Sequence, residues 1–215
     1  MSSTLVIFAR LPRIGQVKTR LEPLLGQEGC LALHYHLIRH ALELASEWHA
    51  GVVQLWFSDR PSLAELEADI FEPLEISENV TLHYQQGANL GLRMQHALQS
   101  VLERGDSVVL IGTDCPEQSP GHLNHSLKLL NSGLDLVLQP AHDGGFVLIA
   151  CKSKVPDLSG KIDWGSSRVL VQLEAELQKQ QLSLGKIETI SDLDDEKDFL
   201  LLQQDNSLFL SKFYI

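Results

Sequence analysis

Short, continuously apolar segments alternate with longer amphipathic ones along nearly the whole chain, and that alternation leaves few folds open. Thr4–Phe8, Val52–Phe57, Val80–Tyr84 and Ser107–Ile111 are rich in strand formers. The run Val108-Val-Leu-Ile is apolar without a break, as a strand buried on both faces requires. From Cys30 to about Trp48, apolar residues recur at helical spacing (Leu33, Leu37, Ile38, Ala41, Leu44, Ala45). Ser62 is placed to cap a helix through Leu66 and Ile70, and Leu92–Leu102 carries Met94, Ala97, Leu98 and Val101 on one side. Helix Gly121–Leu130, strands Asp135–Gln139 and Gly145–Ala150, helix Ser166–Gln180, strand Lys186–Ile190 and helix Asp195–Gln204 complete the series. Strands separated by helices of about ten residues or more imply a three-layer α/β fold with a mostly parallel central sheet. No repeat, low-complexity tract or linker interrupts residues 1–215, so one domain is expected.

In such sheets, ligands gather at the carboxyl ends of the strands. The loops after Phe8, Tyr84, Ile111 and Gln139 are therefore the ones to read for chemistry.

Charge narrows the partners. The 215 residues hold 17 Lys and Arg against 28 Asp and Glu, a formal net charge of -11, which disfavours nucleic acid and anionic membrane. Yet Arg10, Arg13, Lys18 and Arg20 all precede the first acidic residue, Glu22, and form a local cationic patch suited to a small phosphorylated ligand. No apolar run approaches the roughly 20 residues of a membrane helix, and Leu5–Ala9 is too short for a signal-peptide core. The three cysteines, Cys30, Cys115 and Cys151, are widely spaced without a CxxC pair and read as reduced thiols of a cytoplasmic protein.

The first loop, Ala9-Arg-Leu-Pro-Arg-Ile-Gly-Gln-Val-Lys-Thr-Arg, combines a glycine with cationic donors, although it lacks the GxxxxGK[ST] spacing of a P-loop. Either it cradles phosphate or it is a solvated basic loop. In Ile111-Gly-Thr-Asp-Cys-Pro, Asp114 stands three residues past a buried strand. There it can hold Mg2+, which prefers one or two carboxylates plus phosphate oxygens, or it can cap a turn before Pro116. Pro140-Ala-His-Asp-Gly-Gly-Phe offers Asp143 as a second carboxylate beside Asp114, with a plain hairpin turn as the alternative. His142 reads as polar lining, with a base or a metal ligand as the alternative. His36 and His40 have the i, i+4 spacing of a zinc pair but no third ligand nearby in sequence. Asp192, Asp194, Asp195 and Asp198 read as caps of the last helix, where acids suit the dipole. Trp164 packs either in the core or beside an acceptor. The apolar tail Leu208–Ile215 must pack somewhere, and the oligomeric state stays open.

Six motifs occur in one order. They are Phe8-Ala-Arg-Leu-Pro-x-x-Gly-Gln-Val-Lys-Thr-Arg-Leu, Asn89-Leu-Gly-Leu-Arg-Met, Ile111-Gly-Thr-Asp-Cys-Pro, Gln139-Pro-Ala-x-Asp-Gly-Gly-Phe, Trp164-x-x-Ser-Arg-Val-Leu and Asp192-Leu-Asp-Asp-Glu-x-Asp. Together they resemble a family of small bacterial glycosyltransferase candidates once labelled a domain of unknown function, some linked to arsenosugar biosynthesis. That family lies within the nucleotide-diphospho-sugar transferase superfamily. The resemblance spans about residues 4 to 200 and implies a GT-A, Rossmann-like fold.

It implies a cytoplasmic enzyme moving a sugar from a nucleoside diphosphate sugar to a small acceptor with Mg2+ or Mn2+. The alternatives are nucleotidyl transfer to a small phosphorylated substrate with release of pyrophosphate, and a non-catalytic nucleotide-binding regulator. The resemblance places Ala9, Arg10, Gly15, Lys18, Thr19 and Arg20 around the nucleotide phosphates, with Lys18 and Arg20 as the donors and Gly91 and Arg93 also on the nucleotide. Asp114 takes the metal position, and Asp143, Gly144 and Gly145 face the acceptor side; read from the residues themselves, Asp143 is a second metal ligand or a base, and Trp164 borders the acceptor. Phe146 stands where the family often has Tyr, and Leu92 where an acid is frequent.

Overall fold

The structure is a computed structural model that describes residues 2–204 and Phe209. Its strands are β1 (Ser3–Ala9), β2 (Gly51–Phe57), β3 (Val80–Tyr84), β4 (Ser107–Gly112), β5 (Leu136–Pro140), β6 (Phe146–Cys151) and β7 (Leu184–Lys186). The helices are α1 (Glu22–Ser46), α2 (Leu63–Glu67), α3 (Leu90–Leu102), α4 (Pro120–Asn131), α5 (Val169–Lys179) and α6 (Glu196–Gln204). The strands form one seven-stranded sheet in the order β3-β2-β1-β4-β6-β5-β7. All neighbours pair in parallel except β6, which runs antiparallel to both β4 and β5.

That single reversal positions the site. Because β6 enters from the edge where β1, β4 and β5 leave, the turn between β5 and β6 joins the loops after β1 and β4 on one rim of the sheet.

Alternate side chains of each strand serve opposite faces. Leu5 and Ile7 of β1 pack with Ile38, Ala41 and Leu44 of α1 and Leu123 and Leu130 of α4. Val6 and Phe8 pack the other way, with Met94, Ala97, Leu98 and Val101 of α3 and Val169, Leu173 and Leu177 of α5. Leu5, Val6 and Ile7 are fully buried, each worth about 1.5–3 kcal/mol of transfer free energy. These two apolar layers explain why the strand reads as unbroken apolar sequence rather than as alternation.

Several element bounds differ from the periodicity reading. α1 spans Glu22–Ser46 rather than starting near Cys30, and it consists of a short first segment and a longer second one joined at a kink where Gly26 (φ 67°, ψ 172°) leaves the helical path. Only glycine adopts that backbone readily. Ser62 does cap α2, in a reciprocal capping box with Glu65, but the helix ends at Glu67 and a 3-10 turn follows at Glu72–Leu74. The last strand is Leu184–Lys186 rather than Lys186–Ile190, and its line continues only as an isolated bridge between Ala141 and Ile190. α5 begins at Val169, three residues later than the pattern suggests. Of the apolar tail, Phe209 is buried against His36 and His40, with ring centroids 4.3 and 5.3 Å away, and its carbonyl accepts from His36 Nε2 at 2.8 Å. The rest of Leu208–Ile215 lies outside the described residues. Among the described residues no helix is long and apolar enough to cross a membrane.

Candidate active site

The loop after β1 is pinned from several sides. Arg13 is held by Glu65 of α2 (Nε to Oε1 2.5 Å, Nη2 to Oε2 3.1 Å). Those bonds hold the Glu65 carboxyl down at about 2. Gly15 takes a positive φ of 69°, and Lys18 sits in the left-handed region at φ 49°, ψ 34°, just before the 3-10 turn Thr19–Leu21. Beneath the loop, buried His34 of α1 donates from Nε2 to the Arg10 carbonyl at 3.0 Å. Burial lowers the pKa of His34, which favours the neutral ring. Arg10, Thr19 and Arg20 are exposed, and Ala9 is buried at the end of β1.

Lys18 and Asp114 meet at the centre of the rim. Lys18 Nζ lies 2.7 Å from Asp114 Oδ1 and 3.4 Å from Asp194 Oδ1, and it donates to the Leu193 carbonyl at 2.5 Å. The Lys18 side chain is 5% exposed, whereas that of Asp114 is 47% exposed, so the carboxylate is open on one side while the ammonium paired with it is enclosed. Burial alone would lower the Lys18 pKa, but the carboxylates of Asp114 and Asp194 outweigh it and raise it. The same pairing with Lys18 overcomes the opposite effect of burial on Asp114 and keeps its carboxyl below the usual range. Both groups are therefore charged at neutral pH.

The segment before α6 forms a further wall of this site, which the capping interpretation missed. Leu193 donates its backbone N–H to the Asp114 carbonyl at 2.8 Å, and Arg20 Nη1 lies 3.6 Å from Asp194 Oδ2. Asp192 is half-buried, and burial together with the charges of Asp143 and Asp194 pushes its carboxyl up to about 6. Asp195 and Asp198 do cap α6: Asp198 accepts from the backbone of Asp194 and Asp195, and Asp195 accepts from Asp198 N–H. The only local signal separating Asp192 and Asp194 from those caps was their place ahead of the helix.

The turn between β5 and β6 supplies Asp143, which is exposed and accepts from Gly145 N–H through Oδ1 at 2.7 Å. Its carboxylate neighbour is Asp192, while the ionic partner of Asp114 is Lys18. Gly144 has φ 90°, and a Cβ there would stand 2.1 Å from the Ser167 carbonyl, so glycine is required by close backbone approach. Gly91, in the first turn of α3, is equally constrained: a Cβ would lie 2.4 Å from Trp164 Cζ2 and 2.6 Å from the Leu158 carbonyl. Arg93 is tied by Nε to the Gly87 carbonyl at 3.2 Å. Trp164 is half-buried, edge-on to Phe146 with centroids 6.4 Å apart. Core packing and a place near the start of β6 are thus both true of it.

Donor chemistry at the rim suits a hard cation with partners from outside the chain. Among the described residues no three His, Cys, Asp or Glu side chains converge into a metal cage. Asp114 nonetheless presents a charged, half-exposed carboxylate, and one or two carboxylates completed by phosphate oxygens are the set Mg2+ prefers.

A bacterial protein family described as "Uncharacterized protein conserved in bacteria (DUF2064)" matches residues 41–166. A candidate nucleotide-diphospho-sugar transferase from Desulfovibrio desulfuricans G20 is similar in structure with a TM-score of 0.85 and 28% identity, over 97% of this chain and 89% of that one. CMP:2-keto-3-deoxy-manno-octonic acid synthetase complexed with CTP has a TM-score of 0.59 at 12% identity, over 95% of this chain and 100% of its own. Rv0371c of Mycobacterium tuberculosis H37Rv in complex with manganese has a TM-score of 0.55 at 12% identity, over 95% and 100%. At those last identities the likeness is one of fold. No protein of curated function matches the sequence.

Proposed function

The chain belongs to the bacterial DUF2064 family, and from that premise we propose that it transfers a sugar from a nucleoside diphosphate sugar to a small acceptor. The observation that carries this reading is the charged Lys18–Asp114 pair, 2.7 Å apart on the carboxyl rim of the sheet. The nucleotide-diphospho-sugar transferase candidate at 28% identity supports it.

Departure of a nucleoside diphosphate develops negative charge that the site must stabilise. Arg10 and Arg20, exposed beside the cleft, supply donors to the phosphates, and Arg93 does so from the start of α3. Asp114, alone or with a second carboxylate from Asp143 or Asp192, holds Mg2+ or Mn2+. Such an ion supplies Lewis-acid neutralisation of the diphosphate when bound. Asp192, with a carboxyl near 6, is better tuned than an ordinary carboxylate to accept the acceptor's proton. Asp143 shares that task by holding charge beside it. Gly144, Gly145, Phe146 and Trp164 form the acceptor side.

Nucleotidyl transfer is the second reading, favoured by the fold likeness to a synthetase holding CTP. A thermal-shift panel of nucleoside diphosphate sugars and nucleoside triphosphates, with and without Mg2+ or Mn2+, separates the two, because only ligands of the native state raise its melting point. Stabilisation by a nucleotide sugar, followed by release of nucleoside diphosphate with an acceptor, supports glycosyl transfer. Pyrophosphate release from a triphosphate overturns it in favour of the second reading. Binding that ignores the cation and yields no product marks a regulator.

A further inference from the structure

Lys18 has no donor left for a phosphate. An ammonium carries three N–H groups, and those of Lys18 face three acceptors: Asp114 Oδ1 at 2.7 Å, Leu193 O at 2.5 Å and Asp194 Oδ1 at 3.4 Å. The acceptors come from the loop after β4 and the segment before α6, so the ammonium closes three stretches of chain around itself. Its left-handed backbone accompanies a side chain that is almost wholly enclosed. A lysine whose role were only to await phosphate in the open cleft would not be saturated in this way.

We propose that Lys18 is the resident counter-cation of Asp114 and Asp194, and that a divalent cation arriving at Asp114 displaces its ammonium, releasing it toward the phosphates of the bound nucleotide. The inference rests on the functional reading above, and it assigns Lys18 two successive partners instead of one. The physical reason is charge balance. Arg20 also approaches Asp194, at 3.6 Å, so Lys18 and Arg20 together balance the two carboxylates, and a dication at Asp114 must compete with the lysine already there. A free cation therefore binds weakly, and a cation arriving with a diphosphate binds well, because the freed ammonium gains new acceptors. Lys18 is in this sense a positioning residue that couples metal occupancy to phosphate occupancy.

Titration of Mn2+ alone, with free Mn2+ followed by electron paramagnetic resonance, tests the exchange in the wild type, K18M and K18R. Loss of the competing charge in K18M tightens Mn2+ binding by about tenfold or more, while K18R, which keeps the charge, stays within about threefold of wild type. Thermal melts of each variant establish that the chain is folded. Mn2+ affinity in folded K18M that is unchanged or weaker, or no Mn2+ binding by any of the three proteins, overturns the proposal. Should K18M not fold, reductive methylation of the wild-type chain read by mass spectrometry decides the matter. Lys18 reacts slowly in the free protein and faster with Mn2+ present, and an unaltered rate at saturating Mn2+ sinks the exchange. A parallel titration with UDP, CDP and GDP in Mn2+ keeps the two readings apart. If none of them binds while K18M still tightens Mn2+, the nucleotide reading fails and the exchange stands.

Discussion

Lys18 Nζ and Asp114 Oδ1 stand 2.7 Å apart although 96 positions separate them in the chain, and Asp194 approaches the same ammonium at 3.4 Å. The pair joins the loop after β1 to the loop after β4, neighbouring parallel strands of the sheet. The pair is asymmetric: the cation is enclosed and the anion is half exposed. A carboxylate so placed remains charged without being consumed by its partner.

Asp114→Asn removes that anion while keeping shape. The expected result is a folded protein, about 1–3 kcal/mol less stable because an enclosed ammonium loses one charged acceptor. Turnover in the assay identified by the thermal-shift panel falls at least about a hundredfold. Denaturant unfolding and steady-state rates read the two effects separately, and wild-type turnover in this variant removes Asp114 from the reaction.

Gly144 and Gly105 share a left-handed backbone, with φ 90° and 83°, but differ in surroundings. A Cβ on Gly144 meets the Ser167 carbonyl at 2.1 Å, whereas one on Gly105 meets nothing within 4 Å. Gly105→Ala should cost about 1 kcal/mol, from backbone strain alone. Gly144→Ala should cost about 2 kcal/mol or more beyond that, since two backbone segments must separate. Urea unfolding of both variants checks the difference, and equal losses would refute the steric account.

Acid lability should trace partly to Asp135. Its carboxylate accepts from Ser183 N–H at 3.0 Å and Ser183 O–H at 2.8 Å and pairs with Lys154 at 3.1 Å, ties that hold β5 and β7 together at their starts. Hydrogen bonds from Ser183 and the Lys154 charge bring its pKa down to about 2. A depressed carboxyl pKa contributes stability that is present above the unfolded value near 3.9 and is lost as pH falls toward 2. The melting-point gap between wild type and Asp135→Asn is therefore widest above about pH 5 and closes toward pH 2. A gap that is constant over that range rules out the linkage.

The thiols should be silent in the native state. Cys30, Cys115 and Cys151 are free and buried, and burial raises all three, Cys151 to about 12. Reactivity follows the thiolate and its access. Ellman's reagent should therefore titrate none of the three in native buffer and all three in guanidinium. Rapid reaction of any one without denaturant contradicts its placement.

Much of the layer plan is legible in local pattern, because burial on two faces writes itself into consecutive residues. Thr4–Phe8 and Ser107–Ile111 read as strands because both neighbours of each side chain are apolar, and α3 reads as a helix from Met94, Ala97, Leu98 and Val101. The start of α1 did not, since Gly26 interrupts the geometry on which periodicity depends. The reversal of β6 against β5 was legible in the hairpin signal of Pro140–Gly144, but its insertion between β5 and β4 was not, since Phe146–Cys151 is as apolar as any buried strand and only its neighbours fix where it sits. Among candidate site residues, Asp114 and Lys18 were found from residue type and loop position. Asp192 and Asp194 were read as caps because a carboxylate ahead of a helix looks the same whether or not it also faces a cleft.

Residue order alone thus established the alternating elements and the charged loops at the carboxyl ends of the strands, since each depends on neighbours within a turn or a strand. The folded chain settled which charges touch. Lys18 is sealed by Asp114, Leu193 and Asp194, Asp192 feels the charge of Asp143, and Gly91 and Gly144 yield space to Trp164 and Ser167. Those contacts join residues far apart along the backbone. Their distances follow from sheet order and helix packing, which no local window of sequence contains.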